Sequence, residues 1–278
     1  MVFEHNSPLG RWTFMRRDPI AKLRNHIAEF WVADGTTTFS KERILPAPGA
    51  ILMFNFASEQ GTVDRAGNIT PYRAAWAGGL RDEVLTTYSS GRSSLLGVRF
   101  TPLGAHAFFR LPMDQLANRV LELEDLFGPE ADRSLETLRA IPDWPARIDR
   151  FEHLIADRLA ESDEPSREIT WLLRTLDRAG GRVRMRDLES ELGWSPRRTI
   201  ALFKEHVGLT PKTYARLIRF RAAVTAVEAA DNPDWCELAH HCGYYDQAHL
   251  INEFRSFSDC SPREFLRLRV PDSAGFQA

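Results

Sequence analysis

The chain has 278 residues, of which 43% are hydrophobic and 27% charged, as is ordinary for a globular protein of one or two domains. No apolar run approaches the ~20 residues of a membrane span, and the N-terminus lacks a basic patch followed by an apolar core. These features exclude an obvious membrane or secretory segment, so we expect a cytoplasmic protein with no membrane partner. The net charge of −2 hides a basic segment in the C-terminal half.

The first part of the chain is predicted to be rich in short β-strands. Ten of the 17 glycines precede residue 105 and separate short runs of β-forming residues. These runs lie at residues 12–14, 51–56, 86–88 and 95–100. Regularly spaced short strands favour a barrel or a sandwich. Residues 20–32 are ambiguous, because their apolar positions are also spaced for one face of a helix.

The hydrophobic period changes after Met113 and predicts helices. One amphipathic helix is predicted from Leu116, Val120, Leu123 and Leu126–Phe127, and another from Ile148, Phe151, Ile155 and Leu159. These helices either pack on the β-rich region or join two copies of the chain in a homodimer. The polar segment 161–166 contains a proline and is the best candidate for a linker.

Aromatic residues of the β-rich region are candidates for a ligand pocket, although most of them suit a core. We consider Trp31, Phe54 and Trp76 as lining residues. Arg99 alternates with its apolar neighbours and is a candidate partner for an anionic ligand, the alternative being a surface arginine. The region contains no His-x-His pair, phosphate-binding glycine loop, nucleophile elbow or paired catalytic carboxylates. We therefore expect no metal, no cofactor and no enzyme activity.

A duplicated unit occupies the last hundred residues. Matched positions run from Ser195 and Asp246 to Tyr214 and Phe265, and each pair is separated by 51 residues. The turn glycines Gly193 and Gly243 are separated by 50 residues. One helix-turn-helix unit, duplicated with a one-residue change in its turn, explains this spacing. Such a pair can present two recognition helices to one DNA duplex.

Charge differs strongly between the two units. Residues 182–221 hold 10 basic and 4 acidic residues, a net charge of +6, whereas residues 235–269 hold 4 and 5, a net charge of −1. A local basic excess is what phosphate binding requires. We expect the first unit to supply more of the attraction to DNA.

Helical geometry predicts the reading residues. Ser195-Pro196 begins the first recognition helix, and Thr210-Pro211 begins a long connecting helix that Asn232-Pro233 ends. With the core stripe placed inward, the predicted DNA contacts are Arg197, Arg198, Ala201, Lys204 and Lys212, then Gln247, Ala248, Asn252 and Arg255. The alternative is that these residues are ordinary solvated surface. Cys236, Cys242 and Cys260 are predicted to be structural, and a zinc cluster with the nearby histidines lacks a second ligand pair.

Residues 166–270 resemble the DNA-binding domain of AraC/XylS-type transcription regulators. The resemblance rests on segments 197–204, 208–212, 219–220 and 242–250. It implies seven helices, two recognition helices in successive major-groove segments, RNA polymerase as a partner, and a preceding sensor that is often cupin-like. The chain departs from the family at Ile200 and Ala201, where polar or basic residues are common, and at Asn252, where arginine is frequent.

The sequence thus predicts an α+β protein of two domains. A cupin-like barrel or sandwich at 1–110 and helices at 111–160 form a sensor and oligomerisation domain. A linker (161–166), an all-α double helix-turn-helix domain (167–270) and a tail (271–278) follow. The predicted function is effector-responsive, sequence-specific binding of double-stranded DNA in transcription regulation. The alternative is a ligand-binding or enzymatic β-barrel fused to a DNA-binding module.

Overall fold

The computed structural model describes residues 1–230, 233–271 and 275–278. Within these ranges the chain forms twelve strands and eleven α-helices. The strands of the N-terminal region are β1 (Val2–Ser7), β2 (Gly10–Arg17), β3 (Ile27–Thr37), β4 (Lys41–Ile44), β5 (Ile51–Asn55), β6 (Gln60–Val63), β7 (Ile69–Tyr72), β8 (Ala75–Gly78), β9 (Leu85–Ser89), β10 (Arg92–Phe100) and β11 (Val120–Glu122). The last strand, β12 (Gly275–Gln277), lies at the C-terminus.

Two antiparallel sheets build the β-rich domain. The seven-stranded sheet has the order β1-β2-β3-β10-β5-β8-β11, and the five-stranded sheet has the order β12-β4-β9-β6-β7. The two sheets do not close into one barrel. Of the predicted barrel or sandwich, the structure therefore shows an arrangement of two separate sheets. The α+β class and the two-domain organisation are confirmed.

Strand β10 shows how side-chain alternation sets the layers. Leu96, Val98 and Phe100 are fully buried on one face, where helices cover the seven-stranded sheet. Arg99 points to the opposite face, between the two sheets.

The structure resolves one ambiguous segment and corrects one predicted helix. The ambiguous segment 20–32 contains only a 3-10 turn at Ala21–Leu23 before it enters β3, which pairs with β2 and β10. The predicted helix over 116–127 is instead β11, which pairs with β8, and then a short helix. In both segments pairing with a neighbouring strand outweighs an apolar spacing that also suits a helix.

Four helices complete the N-terminal half: α1 (Pro102–Phe109), α2 (Leu123–Phe127), α3 (Pro129–Arg139) and α4 (Trp144–Ala160). The predicted apolar stripe of α4 is buried inside the chain, with Phe151 lying edge-on to both Phe30 and Phe54. This stripe therefore packs on the sheet and offers no free face for a homodimer.

The C-terminal half is helical, as predicted. Its helices are α5 (Arg167–Arg178), α6 (Met185–Leu192), α7 (Pro196–Val207), α8 (Pro211–Ala229), α9 (Trp235–His241), α10 (Gln247–Ser258) and α11 (Pro262–Leu268). The connecting helix α8 ends at Ala229, and Asn232, the predicted stop, lies outside the described residues. No helix in the described ranges is long and apolar enough to cross a membrane.

Side-chain caps start the C-terminal helices where the sequence predicts them. The side chains of Ser195, Thr210, Asp246 and Ser261 each accept a hydrogen bond from the backbone N–H three residues later. Proline occupies the first turn of α7, α8 and α11, where its missing N–H costs no helical hydrogen bond.

The two halves share one continuous apolar core. The cluster of buried hydrophobic side chains runs from Leu23 in the β-rich domain to Phe276 in β12. Residues 271–278, which the sequence analysis treats as a tail, thus include a strand that joins the five-stranded sheet.

Candidate nucleic-acid interface and effector cavity

The first helix-turn-helix unit consists of α6, a turn at Gly193, and α7. Gly193 adopts φ of 64°, a left-handed conformation that glycine tolerates and other residues rarely adopt. One side of α7 is buried through Thr199, Phe203 and Val207. The opposite side leaves the predicted reading residues exposed to solvent: Arg197, Arg198, Ala201 and Lys204.

Trp194 and Ile200 also belong to this face. The Arg198 guanidinium lies 5.0 Å from the ring centroid of Trp194, so this aromatic residue of the turn holds the guanidinium above the start of α7. Ile200 is 43% exposed, an unusual setting for a large aliphatic side chain. It can offer apolar contact to a thymine methyl group.

The second unit repeats this arrangement on α9 and α10. Leu250, Phe254 and Phe257 are buried, whereas Ala248, Asn252 and Arg255 are exposed and Gln247 is partly exposed.

Tyr245 joins this surface although the sequence analysis did not single it out. It is 83% exposed and directly precedes the cap of α10. Its matched position in the first unit is Trp194, 51 residues earlier, so the aromatic pair was a signal available in the sequence.

The connecting helix α8 directs two of its arginines inward. Arg216 Nε lies 2.9 Å and Arg219 Nη2 3.3 Å from carboxylate oxygens of Glu253 on α10. The Glu253 side chain is only 5% exposed. Arg216 and Arg219 therefore fix α10 on α8, and part of the +6 charge is paired inside the protein. Lys212, in the first turn of α8, is exposed.

A cavity of about 260 Å³ lies between the two sheets of the N-terminal domain. Trp31, Trp76 and Arg99, three of the predicted ligand-binding residues, line it. Phe54 does not. It packs in the core on the other face of its sheet, 1% exposed. Other aromatic residues of the lining are Trp12, Phe14, Phe39 and Tyr72.

A charged network occupies one end of the cavity. Arg99 Nε lies 3.1 Å from one Glu29 carboxylate oxygen, and Arg16 Nε lies 3.9 Å from the other. The Arg99 guanidinium also lies 5.6 Å from the Trp31 ring centroid. Burial, and next the charge of Arg99, lower the pKa of the Arg221 guanidinium on α8. Arg221 of the connecting helix therefore lies within electrostatic range of the charged end of the cavity.

The N-terminal domain contacts the first recognition helix on the side away from its reading residues. His106 of α1 and His206 of α7 stack with ring centroids 4.4 Å apart. A Cβ added to Gly208, just after α7, would lie 2.9 Å from the Met113 carbonyl oxygen, which shows how closely the backbones approach. This docking leaves the exposed face of α7 free.

The three cysteines are free thiols, Cys236 exposed and the other two buried. Burial raises the pKa of the Cys242 and Cys260 thiols, so they are suited to packing rather than to reaction. Over the described parts of the chain, no group of three or more histidine, cysteine or acidic side chains is placed to hold a metal ion.

Two family matches cover separate parts of the chain. Residues 188–268 match the family described as a helix-turn-helix domain, and residues 15–122 match a domain of unknown function (DUF6597). No curated protein matches the chain.

Solved structures to which the chain is similar include ToxT from Vibrio cholerae O395 and the C-terminal domain of AraT, a response regulator from Geobacillus stearothermophilus. ToxT is 12% identical with a TM-score of 0.45, and the match covers 91% of this chain and 97% of ToxT. The AraT domain is 18% identical with a TM-score of 0.35, and the match covers 39% of this chain and 90% of that one.

The helix-turn-helix match and the duplicated unit on one connecting helix define a double helix-turn-helix protein with an additional N-terminal domain. This organisation is the one that the sequence resemblance to AraC/XylS-type regulators implies.

We predict that Glu253→Gln destabilises the full chain by about 2–3 kcal/mol, because it leaves two partly buried arginines without their carboxylate. Urea unfolding followed by circular dichroism measures the loss. Glu191→Gln, at an exposed glutamate of α6, is the matched control and should leave the free energy of unfolding nearly unchanged. Equal stability of the two variants would show that the Glu253 pairing does not hold α10.

Acid should weaken the contact between α1 and α7. Burial, and then the neighbouring His206, lower the pKa of His106 below its usual 6.5, with Glu205 opposing the shift. The folded chain binds fewer protons at this ring than the unfolded chain, so this contribution to stability is complete above pH 6.5 and falls as the pH drops below it. His106→Gln should reduce the difference in unfolding free energy between pH 7.5 and about 5.5. The same change at the exposed His153 should not, and equal pH dependence in both variants would contradict the prediction.

Proposed function

We propose that the chain is a sequence-specific DNA-binding transcription regulator that reads two successive major-groove segments. One observation carries this proposal: both recognition helices expose their predicted reading residues while their apolar sides are buried. The N-terminal domain docks without covering these faces. The arginines at the start of α7 suit guanine edges, and Gln247 and Asn252 suit adenine edges.

The two units differ in what they offer DNA. The first presents Arg197, Arg198 and Lys204, and Lys212 lies just beyond it on α8. The second presents Asn252 and Arg255, and Tyr245 adds an exposed phenol beside them. We propose that the first unit provides most of the phosphate attraction and the second contributes base selection. The family resemblance further implies RNA polymerase as a partner, and the homodimer stays a prediction without a located interface.

The DNA-binding test uses the full chain and sites selected from a random duplex library. Protection should extend over two major-groove segments about one helical turn, ~34 Å, apart. Arg197→Ala or Arg198→Ala should each cost ~1–3 kcal/mol of binding and relax preference at one base pair. Lys212→Ala should weaken binding to all sequences and flatten the salt slope by about one unit.

One control and one further variant make this test decisive. Arg150→Ala removes an exposed arginine of α4 in the N-terminal domain and should bind DNA like the unmodified chain. Asn252→Ala should change base preference with little change in salt dependence, because the side chain is neutral. If Arg197, Arg198 and Asn252 are all dispensable for affinity and preference, the helices do not read DNA through these faces.

We further propose that the cavity between the sheets binds a small effector and that the chain acts by binding rather than catalysis. Its lining combines indole and phenyl rings with the Arg99–Glu29 pair at one end. Such a lining fits a flat, largely apolar molecule with one polar group. Arg99 and Glu29 are already bound to each other, which suits recognition of a polar group better than proton transfer.

The anionic aromatic dye 1-anilinonaphthalene-8-sulfonate can probe this cavity without knowledge of the effector. We predict enhanced dye fluorescence with the folded chain and a large loss of it in Ala33→Leu, which adds bulk to the lining. Arg150→Ala should retain the signal. Near-ultraviolet circular dichroism checks that the variants remain folded. Unchanged dye binding in folded Ala33→Leu would place the dye elsewhere and remove the support for this cavity.

A further inference from the structure

The C-terminal strand returns from the DNA-binding domain to the sheet of the N-terminal domain. Strand β12 lies at the edge of the five-stranded sheet and pairs antiparallel with β4, Phe276 opposite Arg43 and Gln277 opposite Glu42. The backbone N–H of Val270, just after α11, donates to the Gly275 carbonyl oxygen at 3.2 Å. The end of the helical domain and the sheet edge are thereby joined by main-chain hydrogen bonds.

Phe276 anchors this strand. Its side chain is 0% exposed, and the Arg43 guanidinium lies 5.7 Å from its ring centroid. On the other side it meets Phe265 of α11 edge-on, with ring centroids 5.6 Å apart. A strand held only by edge pairing would expose its side chains, whereas this one inserts a phenyl ring between two domains.

The anchor continues as a row of aromatic rings to the second recognition helix. Phe265 lies 5.8 Å from Phe254 of α10, and Phe254 lies 5.1 Å from Phe220 of the connecting helix. All of these rings are fully buried. A displacement of Phe276 cannot be absorbed by open space, because close-packed interiors transmit strain.

The strand on which Phe276 packs borders the cavity between the sheets. Lys41, Glu42 and Ile44 of β4 line the cavity, as does Val270. The strand that pairs with β12 therefore also forms part of the cavity wall. A molecule that enters or leaves the cavity acts on β4 directly.

We propose that β12 is a clasp that couples occupancy of the cavity to the position of the second recognition helix. This inference rests on the proposed effector function of the cavity. The clasp has two states, paired with β4 or released from it, and a ligand shifts their balance through its different contacts with β4 in each. Paired, the clasp holds α11 and α10 against the N-terminal domain, and released, it lets the second unit shift relative to that domain.

Hydrogen exchange of the full chain tests the clasp without DNA. Phe276→Ser removes the anchoring ring, and Gln277→Ser, at the neighbouring and partly exposed position, is the matched control. We expect Phe276→Ser to lose protection at the amides of β4 and α11, because β12 leaves the sheet. Gln277→Ser should keep the protection of the unmodified chain. Full protection of β4 in folded Phe276→Ser would overturn the proposal.

Coupling is tested by perturbing the cavity in two ways. The dye 1-anilinonaphthalene-8-sulfonate, or the substitution Ala33→Leu, should alter exchange in α10 and α11 of the unmodified background. With Phe276→Ser added, the alteration should stay confined to the N-terminal sheets. If α10 and α11 respond equally with and without Phe276, the clasp does not carry the signal.

The outcomes separate this inference from the proposed function. A chain that binds no dye but responds to Ala33→Leu through Phe276 supports the clasp and argues against the cavity as a ligand site. A chain that binds dye with no response in α10 and α11 refutes the clasp and leaves the cavity proposal standing.

Discussion

The ion pairs between Glu253 and two arginines of α8 hold the two helix-turn-helix units in a fixed relative orientation. A carboxylate this deeply buried is costly without partners, and Arg216 and Arg219 satisfy it from the connecting helix. Because α8 also begins directly after the first unit, its orientation is passed to α10. The spacing between α7 and α10 depends on this rigidity, to which both arginines contribute.

Because Arg216 and Arg219 are paired inside the protein, they add little to the positive charge on the surface of the domain. Of the ten basic residues in 182–221, Arg216 and Arg219 bind Glu253, and Arg221 lies near the charged end of the cavity. The remaining cations lie mainly on and around the first unit, where Arg197, Arg198 and Lys204 are exposed. Exposed positive charge is thus concentrated at α7 more sharply than a count along the chain suggests.

The N-terminal domain approaches the helix-turn-helix domain behind α7, near α8 and at α11. The histidine stack lies behind α7, the arginines of the cavity lie near α8, and β12 ties α11 to the five-stranded sheet. None of these contacts covers the exposed reading residues. An arrangement of this kind lets a sensor influence the relative position of two units without blocking either of them.

Local patterns of the sequence determined much of the C-terminal domain. Caps at Ser195, Thr210, Asp246 and Ser261 act within one helical turn, so their residues define helix starts whatever surrounds them. The 51-residue repeat likewise revealed both units and their exposed faces. Only tertiary structure decided that segments 20–32 and 116–127 contain strands, because strand partners are distant in sequence and an apolar spacing can suit either form. Tertiary packing alone also decided that Arg216 and Arg219 face a carboxylate and that the last residues form a strand, since their partners lie in other elements of the fold.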